Sequence, residues 1–263
     1  MNPELPDIAF FHALADAADR QTLPRFRAQG DLNIGTKPKE GFRFDPVTDA
    51  DREAERAIRD LISARFPEHS IMGEEFGTTG SGPIQWILDP VDGTRPFLCG
   101  IPVWGTLIGL LLDGRATMGM MSQPFTNERF WADGRSAWRS GTQGEHRLST
   151  RKDIRIDQAI LHTTSPEPIG RHPRVHFNRL ADQALMTRYG GECYAMAMLA
   201  SGQIDICVEF SLQPYDIAAL IPIIEQAGGR VSNLAGERPE DGGHIVACGC
   251  PRLHEAVLHI LNG

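Results

Sequence analysis

The sequence predicts an α/β protein of the α+β kind, with helices packed on an antiparallel sheet in its first half and a layered α/β arrangement in its second. Two observations carry this. Between Trp104 and Arg139, apolar runs succeed one another as hairpins around Asp113-Gly114 and Asp133-Gly134, dipeptides that favour tight turns. After Asp153, strand-like and helix-like stretches alternate, as they do when helices cover the faces of a sheet. The 263 residues, 41% of them hydrophobic, suffice for a sizeable core. We divide the chain into an N-terminal lobe, 1–145, and a C-terminal α/β lobe, 146–263, that together make one domain. Their boundary falls in the polar, structureless stretch from Thr142 to Asp153.

Ile8 to Arg20 places Ile8, Phe11, Leu14, Ala15 and Ala18 on one helical face. Gly30 to Pro46, with Gly35, Pro38 and Gly41, reads as a mobile loop. From Asp51 to Phe66 the apolar positions Ala54, Ile58, Leu61, Ile62 and Phe66 predict a helix. Thr48-Asp49-Ala50-Asp51 supplies its capping box and Pro67 ends it. Ser70 to Met72 is a short apolar segment before Gly73-Glu74-Glu75, and Gly77 to Pro83 reads as flexible. Trp86 to Leu88 is a buried strand that runs into Asp89, where Pro90 forbids further ladder. Trp104–Leu112 and Ala116–Gln123 form one hairpin, Arg129–Ala132 and Ser136–Arg139 the next. The second half alternates: strand Ala159–Thr163, helix Cys193–Ser201, strand Ile204–Glu209, helix Ile217–Ala227 closed by Gly228-Gly229, strand Ile245–Cys248, helix Arg252–Leu261.

Charge and cysteine usage exclude several classes. With 34 acidic against 26 basic residues the net charge is −8, which argues against a nucleic-acid surface. No apolar run approaches the roughly 18 residues of a membrane span, and Met1 to Asp7 has no basic segment before an apolar one, so no signal peptide is read. Five scattered cysteines do not make a disulfide framework; they read as reduced, mostly buried thiols of a cytoplasmic protein. Cys248-Gly-Cys250 lacks the second pair or histidines that a zinc site needs.

The segment Trp86-Ile-Leu-Asp-Pro-Val-Asp-Gly-Thr94 carries the most chemistry. A strand delivers Asp89, and a rigid turn places Asp92 three residues later, so both carboxylates can aim at one point. Hard oxygen ligands on a short turn suit Mg²⁺, and the kink frees the Val91 carbonyl as a further ligand. Gly93-Thr94 then opens a helix whose N–H groups suit phosphate oxygens. Met72-Gly-Glu-Glu-Phe-Gly77 offers two carboxylates, one for a metal and one for solvent, although taken alone it also reads as a solvated acidic loop. Asp216, in Gln213-Pro-Tyr-Asp-Ile217, taken alone also fits an N-cap, and Asp51 is the acid of its own capping box.

Val47-Thr-Asp-Ala-Asp51, Gly73-Glu-Glu75, Asp89-Pro-Val-Asp-Gly-Thr94 and Tyr215-Asp-Ile-Ala218 together resemble the inositol monophosphatase superfamily, in order and spacing, over nearly the whole chain. The resemblance implies a layered α/β/α/β/α sandwich, a lithium-sensitive, Mg²⁺-dependent phosphomonoesterase with two or three ions, and a homodimer acting on a small-molecule phosphate ester. It implies that Glu74, Asp89 and the Val91 carbonyl hold one metal, that Asp89, Asp92 and Asp216 hold a second, and that Asp51 and Thr94 orient the attacking water. Gly93 and Thr94 would receive the phosphate.

Gly100–Thr106, Gln123-Pro124, Thr163–Pro166, Arg188–Tyr194 and Pro214–Pro222 look like the histidinol-phosphate phosphatase branch. That substrate offers a phosphate, an ammonium and an imidazole. Glu209, seven residues before Asp216, is a candidate for the ammonium, or else a solvated strand end. Arg188 is a candidate for the phosphate or the substrate edge, across a dimer interface, or else a surface ion pair. Glu192 stands where that branch has Asp, keeping the charge with a longer reach. An inositol-1-phosphatase or broad sugar-phosphate phosphatase is the alternative. A nucleotide 3′-phosphatase and a non-catalytic metal- or ligand-binding regulator are further from the pattern.

Overall fold

The structure, a computed structural model, describes residues 5–28, 35–36, 46–166 and 171–263. Asp7 caps helix α1 (Ile8–Thr22), its side chain accepting from the Phe10 N–H. Thr48 and Asp51 form the predicted capping box of α2 (Asp49–Arg65). Both helices lie on a sheet built from β3 (Ser70–Gly73), β4 (Gly77–Thr79), β5 (Ile84–Asp92), β6 (Gly105–Leu112), β7 (Arg115–Gln123), β8 (Glu128–Ala132), β9 (Ala137–Gly141) and β10 (Gly144–Arg147). The strand order is β10-β9-β8-β7-β6-β5-β3-β4. Every pairing is antiparallel except β3 with β5. A separate two-stranded pair joins β1 (Gly35–Thr36) and β2 (Pro46–Val47).

The second sheet contains β11 (Ile160–Thr163), β12 (Met186–Tyr189), β13 (Ile206–Leu212), β14 (Arg230–Asn233) and β15 (Gly243–Cys248) in the order β12-β11-β13-β15-β14. Between the two sheets run α5 (Glu192–Ala200), α6 (Pro214–Ile217) and α7 (Leu220–Gln226), while α4 (Arg171–Gln183) and α8 (Pro251–Asn262) cover the outer face. Three buried clusters define the layers. Phe11, Leu14, Ile58 and Ile62 meet Trp86, Leu88 and Leu110 on one side of the first sheet. Leu107, Met121 and Phe130 on its other side meet Met196, Leu199, Ile221 and Ile224, which in turn meet Ile245 and Ala247. Leu161, Ile206 and Val246 then pack on Phe177, Leu180, Leu253 and Val257. This is the α/β/α/β/α order implied by the resemblance. Burial on both faces explains why β6 reads as an unbroken apolar run rather than an alternating one. At the centre the helix layer comes so near the sheet that a Cβ on Gly119 would overlap the Ala219 carbonyl.

Several elements differ from expectation. Gly77 to Pro83 is not simply flexible: Gly77–Thr79 pairs antiparallel with β3. The interval Thr142 to Asp153 is not structureless, because β10 closes the sheet edge there. The helix expected over Ile217–Ala227 begins earlier, at Pro214, and is divided into α6 and α7. Strand β13 continues past Glu209 to Leu212. Helix α4 and strands β12 and β14 were not foreseen. The loop expected over 30–46 lies, apart from residues 35–36 and 46, outside the described residues. All five cysteines are free, with four buried and Cys99 exposed. Among the described residues no helix is long and apolar enough to cross a membrane.

Candidate active site

The site grows from an irregularity in β5. Asp89 pairs with Leu107 and Asp92 with Gly105, so three steps on β5 oppose two on β6. That is a bulge of one extra residue, a device that re-aims side chains. Pro90 therefore does not end the strand, as the sequence reading expected; the bulge absorbs its missing N–H and pairing resumes at Asp92. Thr106 Oγ1 donates to the Pro90 carbonyl at 2.8 Å, and the Val91 N–H donates to Asp89 Oδ1 at 3.0 Å. Gly93 follows with φ +87, a left-handed conformation that glycine adopts without strain, and a Cβ there would press on Glu192, Pro96 and Trp104. It leads into the short helix α3 (Thr94–Leu98).

Asp89, Asp92 and Asp216 bring carboxylate oxygens within 4.8 Å of one another. Burial first, and then the charges of Glu74, Asp92, Asp216 and Asp51, push the Asp89 carboxyl well above its ordinary range. Asp92 is pushed up to about 7 by burial and the Glu192 charge, against the opposing pull of the Cys193 hydrogen bond. Carboxylates crowded this closely, Asp89 buried and Asp92 and Asp216 half-buried, are strained as anions, and a divalent cation relieves that repulsion. An all-oxygen donor set is also what a hard ion such as Mg²⁺ prefers. The donor set thus fits the expected metal. Glu74 lies outside the three-acid group, yet of the neighbouring charges acting on Asp89 its influence is the largest. It leaves the end of β3 with its N–H donating to the Leu88 carbonyl at 3.1 Å.

Two of the acids use their two oxygens differently. Asp51 Oδ2 accepts from the Thr48 N–H at 2.8 Å and from Thr48 Oγ1 at 2.6 Å, completing the capping box. Its Oδ1 accepts from Thr94 Oγ1 at 3.4 Å, and Thr94 Oγ1 also lies 3.3 Å from the Val91 carbonyl. Asp216 sits at the third position of α6, not at its N-cap, and its Oδ2 accepts from the Gln213 N–H at 2.7 Å. In each residue one carboxylate oxygen is taken by the cap, Asp51 Oδ2 by Thr48 and Asp216 Oδ2 by the Gln213 N–H, which fixes the carboxylate's direction.

Beside the acids stands a second group. The Cys193 N–H, at the start of α5, donates to Asp92 Oδ2 at 2.8 Å. Glu192, one residue earlier, adopts φ +46, a left-handed conformation rare for a residue with a Cβ and a mark of local strain. Burial raises its carboxyl, opposed by Arg95 and by a hydrogen bond with Thr164. Glu209 is buried and is no solvated strand end. Its Oε1 accepts from the Thr164 N–H at 2.8 Å and Thr164 Oγ1 at 3.2 Å. Burial and the Glu192 charge push it well above the usual carboxylate range. His162 Nδ1 lies 3.9 Å from Glu209 Oε1, and burial, then Arg188, lower this histidine to about 4, so it is neutral at pH 7. Arg188 stands on the exposed strand β12, opposite His162 in register. Sequence reasoning passed over Thr164 and Glu55; Glu55, fully buried on α2, accepts from the backbone of the turn that follows Glu74.

Comparison with known proteins identifies the family and the fold. Residues 8–262 match the inositol monophosphatase family. The chain is 40% identical over 261 residues to a histidinol-phosphatase of Mycobacterium tuberculosis, covering 97% of this chain and 98% of that one. It is 36% identical over 266 residues to a histidinol-phosphatase of Streptomyces coelicolor, covering 98% and 97%. A solved inositol monophosphatase from Zymomonas mobilis superposes with a TM-score of 0.85 at 36% identity, covering 97% of each chain. This chain belongs to the inositol monophosphatase family and is a phosphatase.

Proposed function

We propose that the protein is a Mg²⁺-dependent phosphomonoesterase that hydrolyses L-histidinol phosphate to L-histidinol and phosphate. Glu74, Asp89 and the Val91 carbonyl would hold one ion, and Asp89, Asp92 and Asp216 another. When bound, the ions supply Lewis acidity and neutralise phosphoryl charge. Asp51 and Thr94 would orient the water for in-line attack, since the Thr94 hydroxyl, donating toward Asp51 Oδ1 and the Val91 carbonyl, ties the two residues together. Gly93 and Thr94, at the start of α3, would receive the phosphate. The resemblance brings with it lithium sensitivity, a homodimer in the cytoplasm, and Arg188 as a phosphate or substrate-edge contact.

The observation that carries the substrate is the pair Glu192 and Glu209. The Glu192 charge raises both Glu209 and Asp92, Asp92 in turn raises Glu209, and Asp216 raises Glu192. A neutral polyol gives such a pair nothing to neutralise. A substrate bearing an ammonium beside its phosphate does, because opposite charge repays the burial of the carboxylates. The strained backbone of Glu192 is consistent with a side chain held where function needs it.

A phosphate-release panel tests this. At equal Mg²⁺, kcat/KM for L-histidinol phosphate is expected to exceed that for inositol 1-phosphate and fructose 1,6-bisphosphate by at least about a hundredfold, since a site built for a polar group rejects analogues without it by up to roughly 10⁴–10⁵. Equal or reversed values move the substrate to inositol or sugar phosphates.

A further inference from the structure

Helix α2 turns three consecutive polar positions of one face toward the site: Asp51, Glu55 and Arg59, each one turn from the next. Asp51 is committed to Thr48 and Thr94. Glu55 is fully buried, between the core residues Ala54 and Ile58 in sequence, where a carboxylate is costly unless its oxygens are fully used. They are. Oε2 accepts from the Glu75 N–H at 2.7 Å. Oε1 accepts from the Phe76 N–H at 3.2 Å and from Arg59 Nε at 2.7 Å. Arg59 carries the grip onward to the Gly77 carbonyl and to Thr79 Oγ1.

All these contacts converge on the turn between β3 and β4. The segment has little packing of its own: Phe76 is exposed, with Arg56 over its ring at 5.4 Å, and Gly77, Thr78 and Thr79 of β4 are exposed. Gly73 marks the place where the carboxylate passes against the backbone: a Cβ there would overlap the Glu55 carboxylate, although the Gly73 φ is not positive. Glycine is needed for room, not for conformation. The residue held between Gly73 and the clamped N–H groups of Glu75 and Phe76 is Glu74.

We propose that Glu55 is a positioning residue for Glu74: its buried carboxylate clamps the 73–77 turn and fixes the direction in which Glu74 meets Asp89. This rests on the reading of Glu74 as a metal ligand. Charge-assisted bonds to the turn's N–H groups are strong and directional, and they replace the packing that the exposed β4 lacks. Gln has the same shape but one acceptor oxygen, so E55Q must turn an NH₂ toward at least one donor.

The test compares wild type, E55Q and E74Q by calorimetric Mn²⁺ binding without substrate, amide hydrogen exchange, and turnover against Mg²⁺ concentration. E55Q is expected to bind Mn²⁺ about tenfold more weakly, the low end for groups that orient metal ligands. Its Glu75 and Phe76 amides should exchange faster while those of β6 do not change, and kcat should return to within about threefold of wild type at saturating Mg²⁺. E74Q should weaken Mn²⁺ binding at least as much while leaving the Glu75 and Phe76 amides protected. Affinity lost in E74Q but kept in E55Q overturns the positioning role alone. Affinity kept in both overturns the metal reading on which it rests. Should E55Q fail to fold, R59M relieves Glu55 of its cationic partner on the same clamp. It is expected to weaken Mn²⁺ binding in the same direction as E55Q, and wild-type affinity in R59M overturns the proposal.

Discussion

Asp92→Asn is expected to lower Mg²⁺-dependent phosphate release by on the order of a thousandfold, the scale of losing one group that stabilises transition-state charge. Asp92 has two duties. One of its oxygens belongs to the three-acid group with Asp89 and Asp216, and Oδ2 receives the Cys193 N–H. Asn keeps a carbonyl oxygen for Cys193, so the start of α5 stays anchored, but it removes the negative charge that a cation needs. Thermal unfolding of the metal-free variant should accordingly stay near wild type while turnover collapses. Removing this charge also relieves Asp89, whose carboxyl is raised partly by Asp92. Turnover within tenfold of wild type would mean that the acidic group is not the catalytic centre. A wild-type protein that releases no phosphate from any small phosphomonoester would favour a non-catalytic regulator on this fold.

The second large effect is selective. Glu209→Gln should reduce kcat/KM for L-histidinol phosphate by on the order of a hundredfold, within the range observed when one partner of a buried charge pair is removed. Inositol 1-phosphate hydrolysis should change by less than about threefold, since that ester has no cation to lose a partner. The side-chain carbonyl of Gln can still accept from the Thr164 N–H, so β13 and the segment after β11 remain joined. Only the charge is deleted. Equal losses on both substrates would assign Glu209 a structural role, and no loss on either would remove it from the site.

Much of this was legible in the sequence, and the exceptions have physical causes. Strands β5 to β9 announced themselves through Asp113-Gly114, Asp133-Gly134 and long apolar runs. Helix α2 did so through its capping box. Helix α4 did not, because RHPRVHFNRLADQ carries a proline near its start and buries little besides Phe177 and Leu180. Strands β12 and β14 have four residues each, and β12 is largely exposed, so no alternation could develop. Pro90 misled in the other direction: a proline inside a strand usually ends it, but a bulge tolerates one. At the site, Asp89 and Asp92 were readable from one rigid turn, whereas Asp216, which alone reads as an N-cap, joined them only through the combination of motifs and the resemblance they carry. Glu55 was passed over although it lies four residues after Asp51, the spacing that puts two acids on one helical face. A carboxylate at a core-facing helical position was the available signal.

Crystals grown with Mn²⁺ in place of Mg²⁺ and measured at the manganese absorption edge would show directly where cations are held. Anomalous peaks are expected among the carboxylates of Asp89, Asp92 and Asp216, and between Asp89, Glu74 and the Val91 carbonyl. Full cation loading with no peak at these oxygens, or with the ions seated elsewhere on the chain, would contradict the assignment of these acids as the metal centre of a phosphatase.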